Sequence, residues 1–539
     1  MEKKGRIPLK RRILTIAVLF TWMLMLAAGR VLWITGDYAA KASTGQGTIS
    51  LTLPQERGTI YDRNGLPITN QETVAIAALT PTPEVATELY RTMGKTQAQD
   101  ALDRLSSGKP ILMEVPEDFS AEGAFVVRHS EQYSGSPLAV HMIGYLDSDG
   151  KGVCGIQAAF EELLSREGST RVSFAANARG GVLLGIEPTL ISTVQPSQGS
   201  VTLTIDREIQ ATVEHAVAGL LESGAVIVMD AATSDILASV SLPDFSPEDV
   251  GAALTAEGSP LLNRVLSAYN TGSVFKLCVV AAALEAGIDP SMSYTCTGEI
   301  NCSGQIFHCH KTDGHGALSM GEALSQSCNT YFIHLASQVG AQRIYEMAVA
   351  MGMGQSTRLC PDIQSSVGSL PELEELMAVP AALGNFSLGQ GSLLTTPLQI
   401  AVMTSAIVND GIVTPAQLIS RITDISGKAS DYARSAPVRV MSSQTASTLR
   451  AMMIGVIESG TGGAASPLSG GAGGKTATAQ TGLLAQDGGR VTQAWFTGFF
   501  PAESPRYVVT ILAEGGDSGS RSAAPVFAAV ANAIATMNR

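Results

Sequence analysis

The segment "YNTGSVFKL" (269–277) sets Ser273 and Lys276 three residues apart, directly after Gly272. The run that follows, "SVFKLCVVAAALEAG", is rich in Ala and Leu, with Asn270 or Thr271 able to cap its start and Gly287 and Pro290 able to end it. Residues i and i+3 share a helix face, so the spacing predicts the Lys276 amine within reach of the Ser273 hydroxyl. Ser273 then occupies the first turn, where free N–H groups and the helix dipole favour a developing negative charge. The chemistry that such a pair offers is a serine nucleophile activated by an amine. The pair alone is weak evidence, since Ser106 with Lys109 and Ser148 with Lys151 share its spacing. Two more segments follow that could complete a site: "SCN" (Ser327, Cys328, Asn329) and "KTA" (Lys475, Thr476, Ala477), the latter on an expected strand between glycines.

Elements able to position these segments are legible around them. "VTLTIDREIQATVEHAVAGLLES" (201–223) reads as a strand leading into a long amphipathic helix. "GAVIVMDAATSDILASVS" (224–241) is two apolar runs joined by a polar turn, a hairpin. "GGKTATAQTG", "QAWFTGFFP" and "RYVVTILAEG" read as three consecutive strands before a last helix from Ala523. A hairpin at one end, three strands near the other and helices between them predict an α+β domain over residues 201–539, an antiparallel sheet with helices on its faces. Residues 35–200 read as an irregular, β-rich domain, with turn signals in "QERGTIYDRNGLPIT" (55–69) and a helix in "GIQAAFEELLSREG" (155–168).

At 539 residues the chain is long enough for two or three domains with ample core. Charged residues at 15% and hydrophobic ones at 45% exclude a disordered or nucleic-acid-binding composition. The net charge of −13 is uneven. Lys3, Lys4, Arg6, Lys10, Arg11 and Arg12 against Glu2 give residues 1–12 a charge of +5, which leaves −18 for the rest. The apolar "ILTIAVLFTWMLMLAA" (13–28) and "VLWI" follow, and a helix from Ile13 to Leu32 runs about 30 Å, enough to cross a bilayer's hydrocarbon. The expectation is a single-pass membrane protein with residues 1–12 a cytoplasmic tail, residues 13–34 a retained anchor and an acidic body outside. A cleaved signal peptide, with Ala27 and Gly29 as small residues at the cut, is the rival.

Cys154, Cys278, Cys296, Cys302, Cys309, Cys328 and Cys360 contain no C-x-x-C pair. Cys and His cluster in "CTGEINCSGQIFHCHKTDGHG" (296–316), at spacings that fit no common zinc pattern, so no metal and no other cofactor is expected. His308, His310 and His315 read as loop residues. "GDSGS" (516–520) resembles the nucleophile segment of trypsin-like proteases, but no matching histidine segment lies upstream, and it reads as a glycine-rich turn.

The order S-x-x-K, S-x-N and a K-T-G-like triplet is the signature of penicillin-binding proteins and active-site-serine β-lactamases. Longer stretches narrow the resemblance. "RGTIYDRNG" and "HMIGYLDSDGKGVCGIQAAFEELL" resemble the N-terminal pedestal, or dimerisation-type domain, of class B penicillin-binding proteins, the peptidoglycan D,D-transpeptidases. "TLTIDREIQ", "IVMDAATSDILASVSLPDFSP", "NRVLSAYNTGSVFK", "SLGQGSLLTTPLQIA" and "WFTGFFP" resemble their catalytic domain, so the likeness covers nearly the whole chain. It implies that Ser273 attacks a D-Ala-D-Ala carbonyl, that neutral Lys276 takes the proton, and that Ser327 relays it to the departing D-alanine. It further implies that Asn329 holds Lys276 and the substrate amide, and that Lys475 and Thr476 grip the terminal carboxylate. The N–H groups of Ser273 and Thr478 would form an oxyanion hole, worth roughly 3 kcal/mol per donor. For Lys276 to be neutral its pKa must fall from about 10.4 through burial and the nearby charge of Lys475. A neighbouring stem peptide's amine would complete the cross-link. β-Lactams are implied ligands and a membrane glycan polymerase an implied partner, class B members having no glycosyltransferase domain.

One position departs from the family: Ala477 stands where K-T-G has glycine. Its methyl either points into the protein or crowds a ligand lying along the strand. Two other functions stay open: a D,D-carboxypeptidase or β-lactamase using the same site, which has no need of tether and pedestal, and a catalytically silent scaffold of a wall-synthesis complex, which only Ala477 favours. The cysteine-bearing loops resemble the sporulation branch, without C-terminal PASTA domains. Outside the cytoplasm, Cys309 and Cys328 could close a disulfide that displaces Ser327 and Asn329. Cys309 paired with Cys296, or with nothing, is the alternative.

Overall fold

The computed structural model describes residues 9–44, 47–133, 135–166, 168–177, 180–194, 198–484 and 489–537. Of the expected basic tail, residues 1–8 lie outside them. Helix α1 (Leu9–Thr44) contains Ile13–Trp33, 21 residues of mean hydropathy 1.8 with exposed side chains, long and apolar enough to cross a membrane.

The chain divides into two compact units. One comprises Met1–Glu56, Thr73–Ser130 and Glu167–Gln195; the other comprises Arg57–Glu72, Glu131–Arg166 and Pro196–Arg539. In the first, Gly47–Thr52, Thr170–Ala176 and Thr189–Ser192 form an antiparallel sheet; Ile111–Val115, Glu72–Leu79 and Ala124–Glu131, in that order, form a second sheet in which Glu72–Leu79 runs antiparallel to Ile111–Val115. Helices Pro83–Thr92 and Lys95–Leu105 bury Val85, Leu89, Ala98 and Leu105 with Ala77 and Leu79 of the second sheet, a small core of its own. The expected helix at 155–168 is two short ones, Gly155–Ala159 and Glu161–Leu164, broken at Phe160.

In the second unit the hairpin and the three later strands join into one antiparallel sheet: β1 (Gly224–Asp230), β2 (Ile236–Leu242), β3 (Gly473–Leu484), β4 (Arg490–Phe500) and β5 (Tyr507–Glu514), in the order β2-β1-β5-β4-β3. Around it lie α2 (Arg207–Val217), α3 (Lys276–Glu285), α4 (Asn329–Val339), α5 (Pro397–Val408), α6 (Ser443–Ser459) and α7 (Ala524–Thr536). Strand alternation splits the core in two. Ala225, Ile227 and Met229 face a core shared with α3, α4 and α5, while Val226 and Val228 face one shared with α2 and α7. Because both faces are covered, β1, β2 and β5 are apolar almost throughout. Asp206 caps α2, its carboxylate accepting from the N–H groups of Glu208 and Ile209; α2 ends at Val217 rather than 223 because the chain turns at Gly219, whose φ is +75°. Every residue from Lys276 to Ala283 in α3 is buried, and every residue of α5. A helix apolar all round belongs at the centre of a domain, and α3 delivers one end of itself to the site.

Candidate active site

Ser273 does not start α3. It sits in a 3₁₀ turn, Gly272–Phe275, and α3 begins at Lys276. Backbone contact fixes that turn. The Gly272 N–H donates to Gly389 O at 2.8 Å, and a Cβ on Gly389 would fall 2.0 Å from Gly272 O. Gly272 itself has φ +64°. Only glycine permits that approach. Asn270 and Thr271 are not side-chain caps: the Thr271 hydroxyl pairs with Thr395 at 2.9 Å, and Asn270 O accepts from the Trp495 indole N–H at 2.8 Å.

The hydrogen bonds of the Lys276 amine run to the segment 327–329. Fully buried Lys276 donates through Nζ to Ser327 O and to Asn329 Oδ1, both at 2.9 Å, with Ser327 Oγ at 3.3 Å. Lys475 Nζ reaches the same hydroxyl from β3, at 3.1 Å, and donates to Thr476 O at 2.9 Å. Ser327 Oγ therefore lies between two buried amines. Its backbone has φ +53°, left-handed for a non-glycine residue. The turn is closed by the Ser327 N–H on Leu324 O at 3.2 Å and the Cys328 N–H on Ala323 O at 2.9 Å. Burial pushes the Lys276 pKa down to about 7, against an opposing pull from Cys328 and Cys309. Burial first, and then Lys276, hold Lys475 well below the usual lysine value.

β3 is an edge of the sheet. Thr476 Oγ1 lies 2.8 Å from Thr461 Oγ1, and Thr478 Oγ1 accepts from the Gly519 N–H at 3.2 Å. A cavity of about 770 Å³ opens here. Ser273, Ser327, Asn329, Thr476 and Thr478 line it, and Lys276 and Lys475 are buried rather than part of its lining. All seven expected site residues thus belong to one locality. Asn385, Gln390, Thr461, Gly519 and Ser520 also line the cavity and had no individual signal in the sequence. Gln390 falls within "SLGQGSLLTTPLQIA", and Gly519 and Ser520 within the "GDSGS" turn, whose glycine is required because a Cβ would lie 2.5 Å from Ala477 O and Trp495 O.

Residues 224–532 match the family model described as the penicillin binding protein transpeptidase domain. The chain belongs to the penicillin-binding protein transpeptidase family. Among its relatives, PbpB of Mycolicibacterium smegmatis is 32% identical over 428 residues, an alignment spanning 74% of this chain and 64% of that protein. Stage V sporulation protein D of Bacillus subtilis is 27% identical over 92% of this chain and 81% of its own length. The structure of penicillin binding protein 3 from Mycobacterium tuberculosis complexed with aztreonam superimposes with a TM-score of 0.66 at 26% identity, covering 90% of this chain and 97% of that one.

In this family member the Ala477 methyl points inward. Ala477 is 3% exposed and belongs to the core, and a Cβ built on Gly272 would meet the Ala477 Cβ at 3.3 Å and that of Ala479 at 3.2 Å. The methyl therefore supports the serine turn and leaves the edge of β3 open. Ala477→Gly is expected to change the second-order rate of penicillin acylation by less than about threefold, whereas Ala477→Val, overpacked against Gly272, should lower it by about tenfold. A large gain in the glycine variant would show that the methyl obstructs the ligand.

Sequence spacing hid a second constellation. Cys296, Cys309, His315 and Cys328 converge so that their ligand atoms all lie within 4.8 Å of one another. Cys309 and Cys328 Sγ are 3.9 Å apart, and all seven cysteines are free thiols.

Proposed function

We infer that this chain is a membrane-anchored peptidoglycan D,D-transpeptidase that forms an acyl-enzyme on Ser273. The observation that carries the reading is the convergence of Lys276 and Lys475 on Ser327 Oγ beside a cavity that Ser273 also lines. An amine buried until its pKa approaches neutrality is a base that works at physiological pH. Ser273 Oγ attacks the D-Ala-D-Ala carbonyl and its proton passes to Lys276. The Ser327 hydroxyl, touching both amines, returns a proton to the leaving D-alanine. Lys475, Thr476 and Thr478 receive the terminal carboxylate, and the open edge of β3 takes the stem peptide as an added strand. The N–H groups of Ser273 and Thr478 hold the oxyanion. A second stem peptide's amine then displaces Ser273. β-Lactams acylate the same serine, in keeping with the aztreonam complex of the mycobacterial relative.

The basic residues before Ile13 favour a cytoplasmic N-terminus and an extracytoplasmic body. A membrane glycan polymerase is the proposed partner, and the relation to stage V sporulation protein D supports a place in the sporulation branch. The test is incubation of the purified chain with a D-Ala-D-Ala donor, with and without an amine acceptor. Cross-linked product is the expected result. Release of D-alanine with hydrolysed donor only, whatever the acceptor concentration, would identify a carboxypeptidase instead, and no covalent adduct with penicillin would identify a scaffold.

The burial of Lys276 sets a pH dependence. The competent amine is unprotonated and its pKa is lowered to about 7, so acylation should be slow in acid, rise through about pH 7 and level off above it. Stopped-flow acylation across that range checks it. A profile flat through neutrality would remove Lys276 from the role of base.

A further inference from the structure

The proton that Ser273 gives up has to become a full charge at a place water does not reach. Lys276 and Phe332 are both among the largest fully buried side chains of the molecule. A neutral amine has two N–H groups, and Ser327 O and Asn329 Oδ1, each 2.9 Å from Nζ, take both. Protonation adds a third N–H and a positive charge. Among the described residues no carboxylate pairs with that amine, and the neighbouring Lys475 amine repels a charge on it. The Phe332 ring meets the need: Lys276 Nζ stands over its face, 5.2 Å from the centroid. A ring face is the negative pole of the aromatic quadrupole and attracts a cation within about 6 Å, most strongly where solvent is absent.

Helix α4 presents the ring and the amide together. Asn329 and Phe332 stand three residues apart in its first turn, so they share the face that meets the start of α3. The ring also packs against that of Tyr331, 5.9 Å between centroids, and the Tyr331 hydroxyl is tied to Met292 O at 3.1 Å. A cation beside a helix N-terminus is disfavoured by the dipole, so the ring face and the two oxygens offset the pull of α4 as well as the cost of burial. We propose that Phe332 is a positioning residue of the acylation step, its ring face seating the Lys276 amine and stabilising the ammonium formed as Ser273 attacks. In that step the Ser273 O–H bond breaks, its electron pair enters the new Oγ–C bond, and the proton forms the third Nζ–H bond. The ring touches no substrate atom. This role presupposes that Lys276 is the base. The other ionisable groups that face the amine, Lys475, Cys309 and Cys328, stay as they are in every variant below.

The test places phenylalanine carrying one, two or three ring fluorines at position 332 of the full-length chain in detergent. Fluorine drains the ring face of negative charge with little change of shape. Penicillin acylation is followed by stopped flow across the acid limb and the plateau. Progressive fluorination should lower the plateau by up to roughly tenfold and move the acid limb to lower pH by up to about one unit, because an ammonium less well held gives up its proton more readily. Below the midpoint the two changes offset and the profiles converge. Phe332→Leu, which removes the ring and keeps an apolar filling, should move the limb in the same direction. A trifluorinated chain with native circular dichroism and an unchanged limb and plateau would overturn the proposal. So would a loss by the same factor at every pH, the mark of a packing defect. If Lys276→Met acylates within about tenfold of the unaltered chain, the base is misassigned and the role of Phe332 falls with it. An unchanged fluorine series beside a slow Lys276→Met overturns the role of the ring alone. The fluorinated set reports even if Phe332→Leu fails to fold.

Discussion

Ser273→Ala is expected to abolish covalent labelling by a fluorescent penicillin, a loss of at least about a thousandfold in acylation rate, with the fold intact. Ser106 and Ser148, which share the Ser-x-x-Lys spacing, are exposed and paired with exposed lysines. Ser327 is the serious rival, since both buried amines touch its hydroxyl. Its left-handed turn and central position between the amines suit proton transfer, while Ser273 lines the cavity on a turn held by backbone contacts. Intact-mass analysis separates the two. Ser327→Ala should acylate slowly but still carry its adduct on Ser273. An adduct surviving in Ser273→Ala would reverse the assignment.

Lys276→Met should lower acylation by about 100- to 10,000-fold, the range over which a positioned proton acceptor acts. Methionine keeps the length and the apolar stem, so packing against α4 survives while the amine is lost. Lys276→Arg should be equally slow for a different reason: a guanidinium keeps its proton at every accessible pH. Lys475→Met should chiefly weaken capture of a peptide bearing a terminal carboxylate. Stopped-flow measurement with one β-lactam compares the three. If Lys276→Met acylates within tenfold of the unaltered chain, another group is the base.

What the sequence revealed and what it hid follow from the range of the interactions involved. The sheet was legible because β1, β2 and β5 are largely apolar runs and all five strands are short segments bounded by glycine and polar turns, signals contained within a dozen residues. Three motifs announced their residues by type and order. The partners of Lys276 were not legible in the same way: Ser327 and Asn329 lie 51 and 53 residues further along the chain, and only the fold brings them to its amine. Neither was the meeting of Cys296, Cys309, His315 and Cys328, because zinc patterns describe two local pairs and this set is assembled by a strand ladder and two loops. The orientation of Ala477 was open until the register of β3 against β4, Ala477 opposite Trp495, put its methyl in the core.

The amine at the start of a helix buried on every side has a consequence for folding as well as for catalysis. With its pKa lowered on folding from 10.5 to about 7, Lys276 is neutral in the folded chain and protonated in the unfolded one at any pH between those values. Over that interval the unfolded chain binds the extra proton, so stability climbs with pH. Below about pH 7 both states are protonated and the folded one must hold a buried charge, a penalty on the order of 5 kcal/mol relative to strongly alkaline solution. That is a large part of the margin by which a domain normally stays folded. Lys475, lowered in the same direction, adds to it. That penalty accumulates as pH falls from 10.5 to about 7 and does not grow below it, so at neutrality the domain already carries most of it, and tolerance of other destabilising substitutions should be greater in alkaline solution.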